Sequence, residues 1–174
     1  PVTKSGTKGG SKTGLEFEKI VETALDKDFE KAADEFAVYK KARRVETALE
    51  NIPCDTQKPM YERNPLGSQH FPDFVVAVDG RYFEIECKSS ASSNKPVWNG
   101  GLPRPERGVF YLLKFPKISS RSVAVAKGDR MMTKEIYEFL KSDEYVQMAG
   151  EFSDRVNAIF AAREECLADV VSDI

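Results

Sequence analysis

Residues 71–88 contain the pattern that most restricts the fold of this chain. A short apolar run, Phe74–Val78, is followed by Asp79-Gly80 and then by the alternating segment Tyr82–Lys88. Asp-Gly between two strand-forming runs is a typical two-residue hairpin turn, because both residues adopt positive φ readily. The pattern therefore predicts a β-hairpin, which needs further strands or helices around it to be stable.

Side chains along the second strand of this hairpin alternate between two faces of the sheet. One face carries only Phe83, Ile85 and Cys87, so the Cys87 side chain is expected in the core; the other face carries Tyr82, Glu84, Glu86 and Lys88. Glu86 and Lys88 are two residues apart, which places their Cα atoms roughly 7 Å apart on one face. Glu84 shares this face and is predicted to be a peripheral charge.

The turn folds the first strand back, which brings Asp73 near Glu86 and Lys88. Two carboxylates and an ammonium group then converge, and oxygen ligands of this kind suit octahedral Mg²⁺. Each residue also has a structural interpretation. Asp73 could cap a turn after Pro72, and Glu86 with Lys88 could form a charge pair on a solvated sheet face. The combination of the three with an apolar opposite face favours a site.

Helical spacing predicts one long helix over residues 15–52, or two helices with a break near Asp26–Asp28. Residues 53–70, with three prolines and a glycine, are predicted to form a loop. Further strands are expected at Val109–Phe115 and Ser122–Ala126, and further helices at Thr133–Leu140 and Tyr145–Val171, the latter with a break at Gly150 as one possibility. This order predicts an α/β fold, a central mixed sheet of about four to five strands flanked by helices.

The length of 174 residues suits a single domain, residues 15–174, preceded by a flexible basic tail of Gly, Ser, Thr and Lys, residues 1–14. No apolar run approaches the roughly 20 residues of a membrane helix, and no secretory signal is recognised. The three cysteines are scattered and His70 is the one histidine, which argues against disulfide frameworks and zinc sites rich in Cys or His. A cytoplasmic protein is expected.

Charge is distributed in blocks although the net charge is only −2. Residues 88–134 carry 10 basic and 2 acidic side chains, whereas residues 15–87 carry 10 basic and 16 acidic ones. Phosphate binding depends on local charge more than on net charge. The basic block beginning at Lys88 therefore indicates a nucleic-acid contact, and a solvated lysine-rich surface is the alternative.

Pro72-Asp73 and Glu86-Cys87-Lys88 resemble the signature of the PD-(D/E)xK nuclease superfamily. Gly14-Leu15-Glu16-Phe17-Glu18 looks like the acidic first helix of many restriction endonucleases. The run Ile85–Ser90, Val97-Trp98-Asn99, Pro103 and Val109–Leu113 looks like segments of several type II restriction enzymes, so the likeness spans roughly residues 14–130.

This resemblance implies a restriction-endonuclease-like core and a Mg²⁺-dependent endonuclease that acts on double-stranded DNA without a nucleotide cofactor; Mn²⁺ could replace Mg²⁺. Asp73 and Glu86 would bind the metal together with the Cys87 carbonyl, and Lys88 would orient the attacking water. Glu18 would contact a second metal or Lys88. The products would carry a 5′-phosphate and a 3′-hydroxyl.

Candidate DNA contacts follow the catalytic strand, where polar, basic and aromatic side chains cluster: Ser89, Ser90, Lys95, Trp98, Asn99, Arg104 and Arg107. Trp98 could instead anchor its loop to the core. For His70 a local hydrogen bond in a loop is the preferred interpretation, with DNA contact second. The basic run Lys40–Arg44 is interpreted as a solvated helix face, with phosphate contact second.

Three hypotheses remain open from the sequence. The first is a homodimeric restriction enzyme that cuts a short palindrome, with the apolar face of the last helix as a candidate interface, formed by Phe152, Val156, Ile159, Phe160 and Leu167. The second keeps the chemistry without site specificity, as in repair, recombination or phage nucleases. The third is a non-catalytic nucleic-acid-binding module.

Overall fold

The computed structural model describes residues 12–32, 34–90, 102–115 and 123–172, without the side chains of residues 12, 13, 160 and 162–172. Its strands are β1 (Glu30–Lys31), β2 (Met60–Arg63), β3 (Phe74–Val78), β4 (Arg81–Ser89), β5 (Val109–Lys114) and β6 (Ala124–Lys127). Its α-helices are α1 (Lys12–Leu25), α2 (Ala37–Arg44), α3 (Gly128–Met131), α4 (Lys134–Lys141) and α5 (Asp143–Ser172), and Leu49–Asn51 form a 3₁₀ turn.

The six strands form one mixed sheet in the order β1-β2-β3-β4-β5-β6. β3 is antiparallel to both β2 and β4. β4 and β5 are parallel, and β5 and β6 are antiparallel. β1 lies parallel to β2 at the edge. The predicted α/β class with a helix-flanked mixed sheet is confirmed, and the predicted count of four to five strands is wrong for the described chain.

Two predictions outside the hairpin explain the wrong count. After Leu25 the predicted helical region contains β1, one short helix, α2, and the 3₁₀ turn, so the alternative with a break near Asp26–Asp28 is the correct one. The predicted loop 53–70 contains β2. Both strands are short, β1 has only charged side chains and β2 is half polar, so their stability comes from pairing with distant segments. Glu30 N donates to Pro59 O at 2.9 Å and Ala32 N to Tyr61 O at 2.8 Å.

The predicted hairpin is present. Asp79 and Gly80 have φ of 51° and 68°, the positive values that a type I′ turn requires. The turn fixes a register in which Phe74 pairs with Ile85 and Val78 with Arg81. Because β-strand side chains alternate, this register decides which side chains of β3 and β4 share a face.

Two apolar clusters cover the two faces of the sheet. One cluster lies under α2 and the 3₁₀ turn and contains Phe36, Tyr39, Leu49, Ile52, Met60, Val75, Ala77 and Tyr82. The other lies under α1 and contains Phe17, Val21, Tyr61, Phe74 and Val76, with Phe83, Ile85 and Cys87 packed against it. We call these the α2 face and the α1 face. The predicted division of β4 into two faces is therefore correct.

The chain divides into two compact units, Pro1–Thr133 and Lys134–Ile174. The second unit consists of α4 and α5, which continues through Gly150 without a break, and the Phe139 and Tyr145 rings lie 5.5 Å apart at their junction. α1 begins at Lys12, inside the predicted tail, whose residues 1–11 lie outside the described residues. A single nuclease domain over residues 15–174 stays a prediction.

Glu84 is not the peripheral charge that the sequence predicts, because it is completely buried on the α2 face. Arg43 Nε and Nη2 bind its two oxygens at 2.6 and 2.8 Å, and the Tyr39 hydroxyl donates to Oε1 at 2.7 Å. Arg43 also binds both oxygens of Glu106 at 3.0 Å. The interpretation of residues 40–44 as a solvated face is therefore wrong for Arg43, which is only 5% exposed.

Replacing Arg43 with methionine would leave the Glu84 carboxylate buried without its counter-charge. Because an unpaired buried charge is strongly destabilising, we expect R43M to lower the free energy of unfolding by about 3–5 kcal/mol. Urea unfolding followed by circular dichroism measures this change.

The double variant R43M/E84M should recover most of that loss, since it removes both charges. The matched control is K58M, which breaks the exposed Lys58–Glu30 ion pair and should leave the urea midpoint unchanged. An R43M midpoint equal to that of K58M would contradict the role assigned to this pair.

Candidate active site

Asp73 lies directly before β3 and reaches the main chain of β4. Its Oδ2 accepts a hydrogen bond from Cys87 N at 2.7 Å, and its carbonyl accepts one from Asn64 N at 2.7 Å. The pairing of Phe74 with Ile85 places Asp73 opposite Glu86 in the continued register. The hairpin thus brings Asp73, Glu86 and Lys88 together, as the sequence pattern predicts.

Glu86 and Lys88 form an ion pair on the α2 face, with Lys88 Nζ 2.6 Å from Glu86 Oε1. Both side chains are largely buried, at 13% and 21% exposure. Glu86 Oε2 is also buried, but it has no hydrogen-bond partner among the described residues. A buried carboxylate oxygen without a donor costs free energy, so this atom is suited to accept a further cation or donor.

The charge balance around Asp73 is negative. Burial raises the pKa of Asp73 from 3.8 to about 7, the charges of Glu86 and Glu18 add to that rise, and the Cys87 amide and Lys88 oppose it. Two carboxylates here share one ammonium, and a divalent cation would reduce the repulsion between them.

Cys87 contributes its main chain to this site. Its side chain packs with the cluster on the α1 face, and burial raises the pKa of its thiol. In a strand the N–H and C=O of one residue point to the same side. The Cys87 carbonyl therefore faces the side on which Asp73 accepts the Cys87 amide, just beyond the Phe74–Ile85 pair that ends the β3–β4 ladder.

Asp73, Glu86 and the Cys87 carbonyl fit a small oxygen-ligated cation such as Mg²⁺, which keeps several waters and needs few protein ligands. Within the described residues no group of three or more His, Cys, Asp or Glu side chains is arranged to hold a metal ion. The predicted ligand set has only two carboxylate side chains, with a main-chain carbonyl as the third ligand. The observation that favours this set is the buried Glu86 oxygen without a hydrogen-bond partner among the described residues.

Glu18 lies near the site but is paired with Arg63, a partner that the sequence does not reveal. Arg63 Nη2 is 2.8 Å from Glu18 Oε2, and Nη1 is 3.0 Å from Glu22 Oε2. The charge of Glu18 still raises the pKa of Asp73 and of Cys87. A contact between Glu18 and a second metal or Lys88 stays a prediction.

The candidate DNA contacts occupy different positions. Ser89 ends β4 with its Oγ buried and without a partner among the described residues, and strand alternation turns it away from Lys88. Ser90 N donates to Lys114 O at 3.1 Å. Three of the candidates, Lys95, Trp98 and Asn99, lie outside the described residues.

Arg104 and Arg107, in the segment before β5, differ from each other. Arg107 is exposed, whereas the Arg104 guanidinium carbon lies 4.8 Å from the centre of the Phe71 ring. His70 is exposed in its loop and its main-chain N–H donates to Gly67 O at 3.0 Å.

Tyr111 is a buried member of the site that the sequence analysis does not identify. It pairs with Glu86 in the parallel β4–β5 ladder, so both side chains lie on the α2 face. Its hydroxyl accepts a hydrogen bond from Arg104 N at 2.7 Å, and its ring lies 6.4 Å from that of Phe71. The alternation of β5 shows which residues share a face with Tyr111, but only the register between β4 and β5 places that face beside Glu86.

Comparisons with known proteins give no match to any protein family, curated protein or solved structure. The functional argument therefore rests on the geometry and chemistry of the residues themselves. Among the described residues no helix combines the length and the apolar composition needed to span a membrane.

The raised pKa of Asp73 predicts a pH dependence of stability in the metal-free protein. Between about 4 and about 7 the folded chain holds a proton that the unfolded chain has released, so stability falls as the pH rises through this range and levels off above it. D73N removes the titrating group. We expect the parent to lose stability relative to D73N over this range, measured by urea unfolding in EDTA.

The matched control is D79N, which changes an exposed aspartate in the hairpin turn, where asparagine also tolerates positive φ. The stability of D79N should follow that of the parent at every pH. Parallel curves for the parent and D73N would show that the Asp73 carboxyl is not held in this environment.

Proposed function

We propose that this chain is a Mg²⁺-dependent DNA endonuclease of the PD-(D/E)xK superfamily with the corresponding restriction-endonuclease-like core, and within it a type II restriction endonuclease. The observation that carries the proposal is the convergence of Asp73, Glu86 and Lys88 around a buried carboxylate oxygen that has no partner among the described residues. The resemblance of the Pro72-Asp73 and Glu86-Cys87-Lys88 segments to that superfamily supplies the reaction.

The reaction is the hydrolysis of a phosphodiester bond. A water oxygen attacks phosphorus, the bond to the 3′-oxygen breaks, and the 3′-oxygen takes up a proton, which leaves a 5′-phosphate and a 3′-hydroxyl. When bound by Asp73, Glu86 and the Cys87 carbonyl, Mg²⁺ would polarise the phosphate and lower the pKa of the water; Mn²⁺ is a possible substitute.

The chain's own residues supply orientation and charge. The Lys88 ammonium lies beside Glu86 and stabilises the negative charge that develops on the attacking water and the phosphate. Burial of Asp73 and Glu86 against the hairpin keeps their carboxylates in place, and the Cys87 amide fixes the orientation of Asp73. Glu18 adds negative charge and is proposed as an accessory catalytic group.

The proposed partners are duplex DNA and a second copy of the chain, because a palindromic site matches a twofold protein. For the candidate interface on α5, Phe152 and Ile159 are exposed and Val156 is half-buried, whereas the side chains of Phe160 and Leu167 lie outside the described residues. The basic block that begins at Lys88 would face the DNA backbone, as would Ser90 and Arg107, whereas the buried Ser89 Oγ is turned away from Lys88.

Incubation of plasmid DNA with the parent protein and Mg²⁺ tests the proposed activity. We expect discrete fragments, and we expect D73N, E86Q and K88M each to reduce the cleavage rate by at least about a hundredfold, since each removes charge at the reacting phosphate. End mapping of the fragments gives the cut position and the end chemistry.

The matched controls D79N, E30Q and K58M make the same chemical changes at exposed positions and should cut like the parent. A smear or junction-selective nicking would replace restriction with a non-specific or structure-specific nuclease of the repair, recombination or phage type. If the parent cuts no DNA with Mg²⁺ or Mn²⁺, the nuclease proposal fails in favour of a non-catalytic nucleic-acid-binding module.

Metal binding can be measured without activity. A cation bound only by the folded state raises its stability with concentration, so Mg²⁺ should increase the melting temperature of the parent. D73N and E86Q should abolish this increase, while D79N and E30Q should retain it. Equal Mg²⁺ responses of the parent, D73N and E86Q would exclude these two carboxylates as ligands.

A further inference from the structure

Arg104 is a cation in an unusual setting in the segment before β5. Its guanidinium carbon lies 4.8 Å from the centre of the Phe71 ring, and Phe71 is two residues before Asp73. No carboxylate in the described part of the chain lies within ion-pair distance of Arg104. By contrast, Arg43 and Arg63 are each bound by two carboxylates.

The main chain of Arg104 is held on several sides. Its N–H donates to the Tyr111 hydroxyl at 2.7 Å. Its carbonyl lies so close to Gly128 that a Cβ there would come within 2.1 Å of it, which leaves no room for any other residue. Two residues later, Glu106 binds Arg43 through both oxygens and accepts Leu49 N at 2.9 Å. The side chain therefore extends from a fixed backbone.

Tyr111 connects the main chain of Arg104 to the strand position of Glu86. It pairs with Glu86 across adjacent strands, which are about 4.8 Å apart. Burial raises the pKa of Tyr111, the amide and guanidinium of Arg104 oppose this rise, and Glu86 adds to it. Arg104 and Glu86 thus act on the same hydroxyl from the two elements that flank it.

We propose that Arg104 binds a backbone phosphate of the DNA strand being cut, close to the scissile phosphodiester, and so positions that strand over Asp73 and Glu86. This inference rests on the proposed nuclease function. A guanidinium stacked on an aromatic ring keeps its N–H donors at its edge, where they match two phosphate oxygens. Asp73 and Glu86 would act at the sugar–phosphate backbone, and Tyr111 joins the Arg104 main chain to Glu86, so the DNA groups nearest to Arg104 would be phosphates rather than base edges.

Binding measured in Ca²⁺ separates this role from cleavage. The probe is a fluorescent duplex that contains the cut site mapped for the parent, and the variants are R104Q and R104K. We expect R104Q to weaken binding about tenfold at low salt and to reduce the slope of log K against log salt by about one. R104K should retain the salt slope and recover only part of the affinity, because it keeps the charge without the two-pronged geometry.

The matched control is R81Q, at the exposed start of β4, the opposite end of the strand from Lys88. It should leave both affinity and salt slope unchanged. Urea midpoints of R104Q and R81Q close to that of the parent exclude misfolding as the cause of any loss.

A scan with single methylphosphonates, which carry no charge, identifies the phosphate. At one position near the cut, the neutral linkage should weaken binding by the parent but add nothing to the loss in R104Q. If R104Q binds and cuts like the parent, Arg104 has no such role although the nuclease proposal stands. If its loss couples to a base-pair change and to no methylphosphonate, Arg104 reads a base and the inference is wrong. A parent that neither binds nor cuts duplex DNA overturns both.

Discussion

The register between β3 and β4 is the constraint on which the site depends. The Asp79-Gly80 turn pairs Phe74 with Ile85, so the apolar residues of both strands meet under α1 while Glu86 and Lys88 meet on the α2 face. A slip of one residue would exchange the two faces and bury the charged set in the α1 cluster. The same hydrophobic burial that stabilises the hairpin therefore also places Asp73 opposite Glu86.

A second interaction connects this hairpin to the rest of the first unit. Arg43 of α2 binds Glu84 of β4 and Glu106, so one buried guanidinium joins a helix, the second strand of the hairpin and the segment that carries Arg104. Because Glu106 and Arg104 are two residues apart, the ion pair that stabilises the fold also limits the movement of Arg104. The Arg43–Glu106 contact thus contributes both to the stability of the fold and to the position of Arg104.

The part of the site that could be predicted is local in sequence. The hairpin turn, the period of two in β4 and the convergence of Asp73 with Glu86 all follow from neighbouring residues. The rest depends on non-local pairing. Arg43 and Glu84 are 41 residues apart, so the counter-charge that lets Arg43 be buried beside Tyr39 cannot be recognised from the basic run of α2 alone. β1 and β2 are too short to show periodicity, and Tyr111 joins the site only through the parallel register of β4 and β5.

Glu84 and Glu86 lie two residues apart on one face of β4 but differ in how completely their carboxylates are paired. Both oxygens of Glu84 are hydrogen-bonded, because Arg43 and Tyr39 supply three donors, and the Arg43 guanidinium balances its charge. Glu86 has one ammonium, an oxygen without a partner among the described residues, and a second carboxylate nearby. Folding alone gains nothing from that arrangement, because an apolar or fully paired residue would be more stable. The unsatisfied charge is explained if a cation and a phosphate complete it.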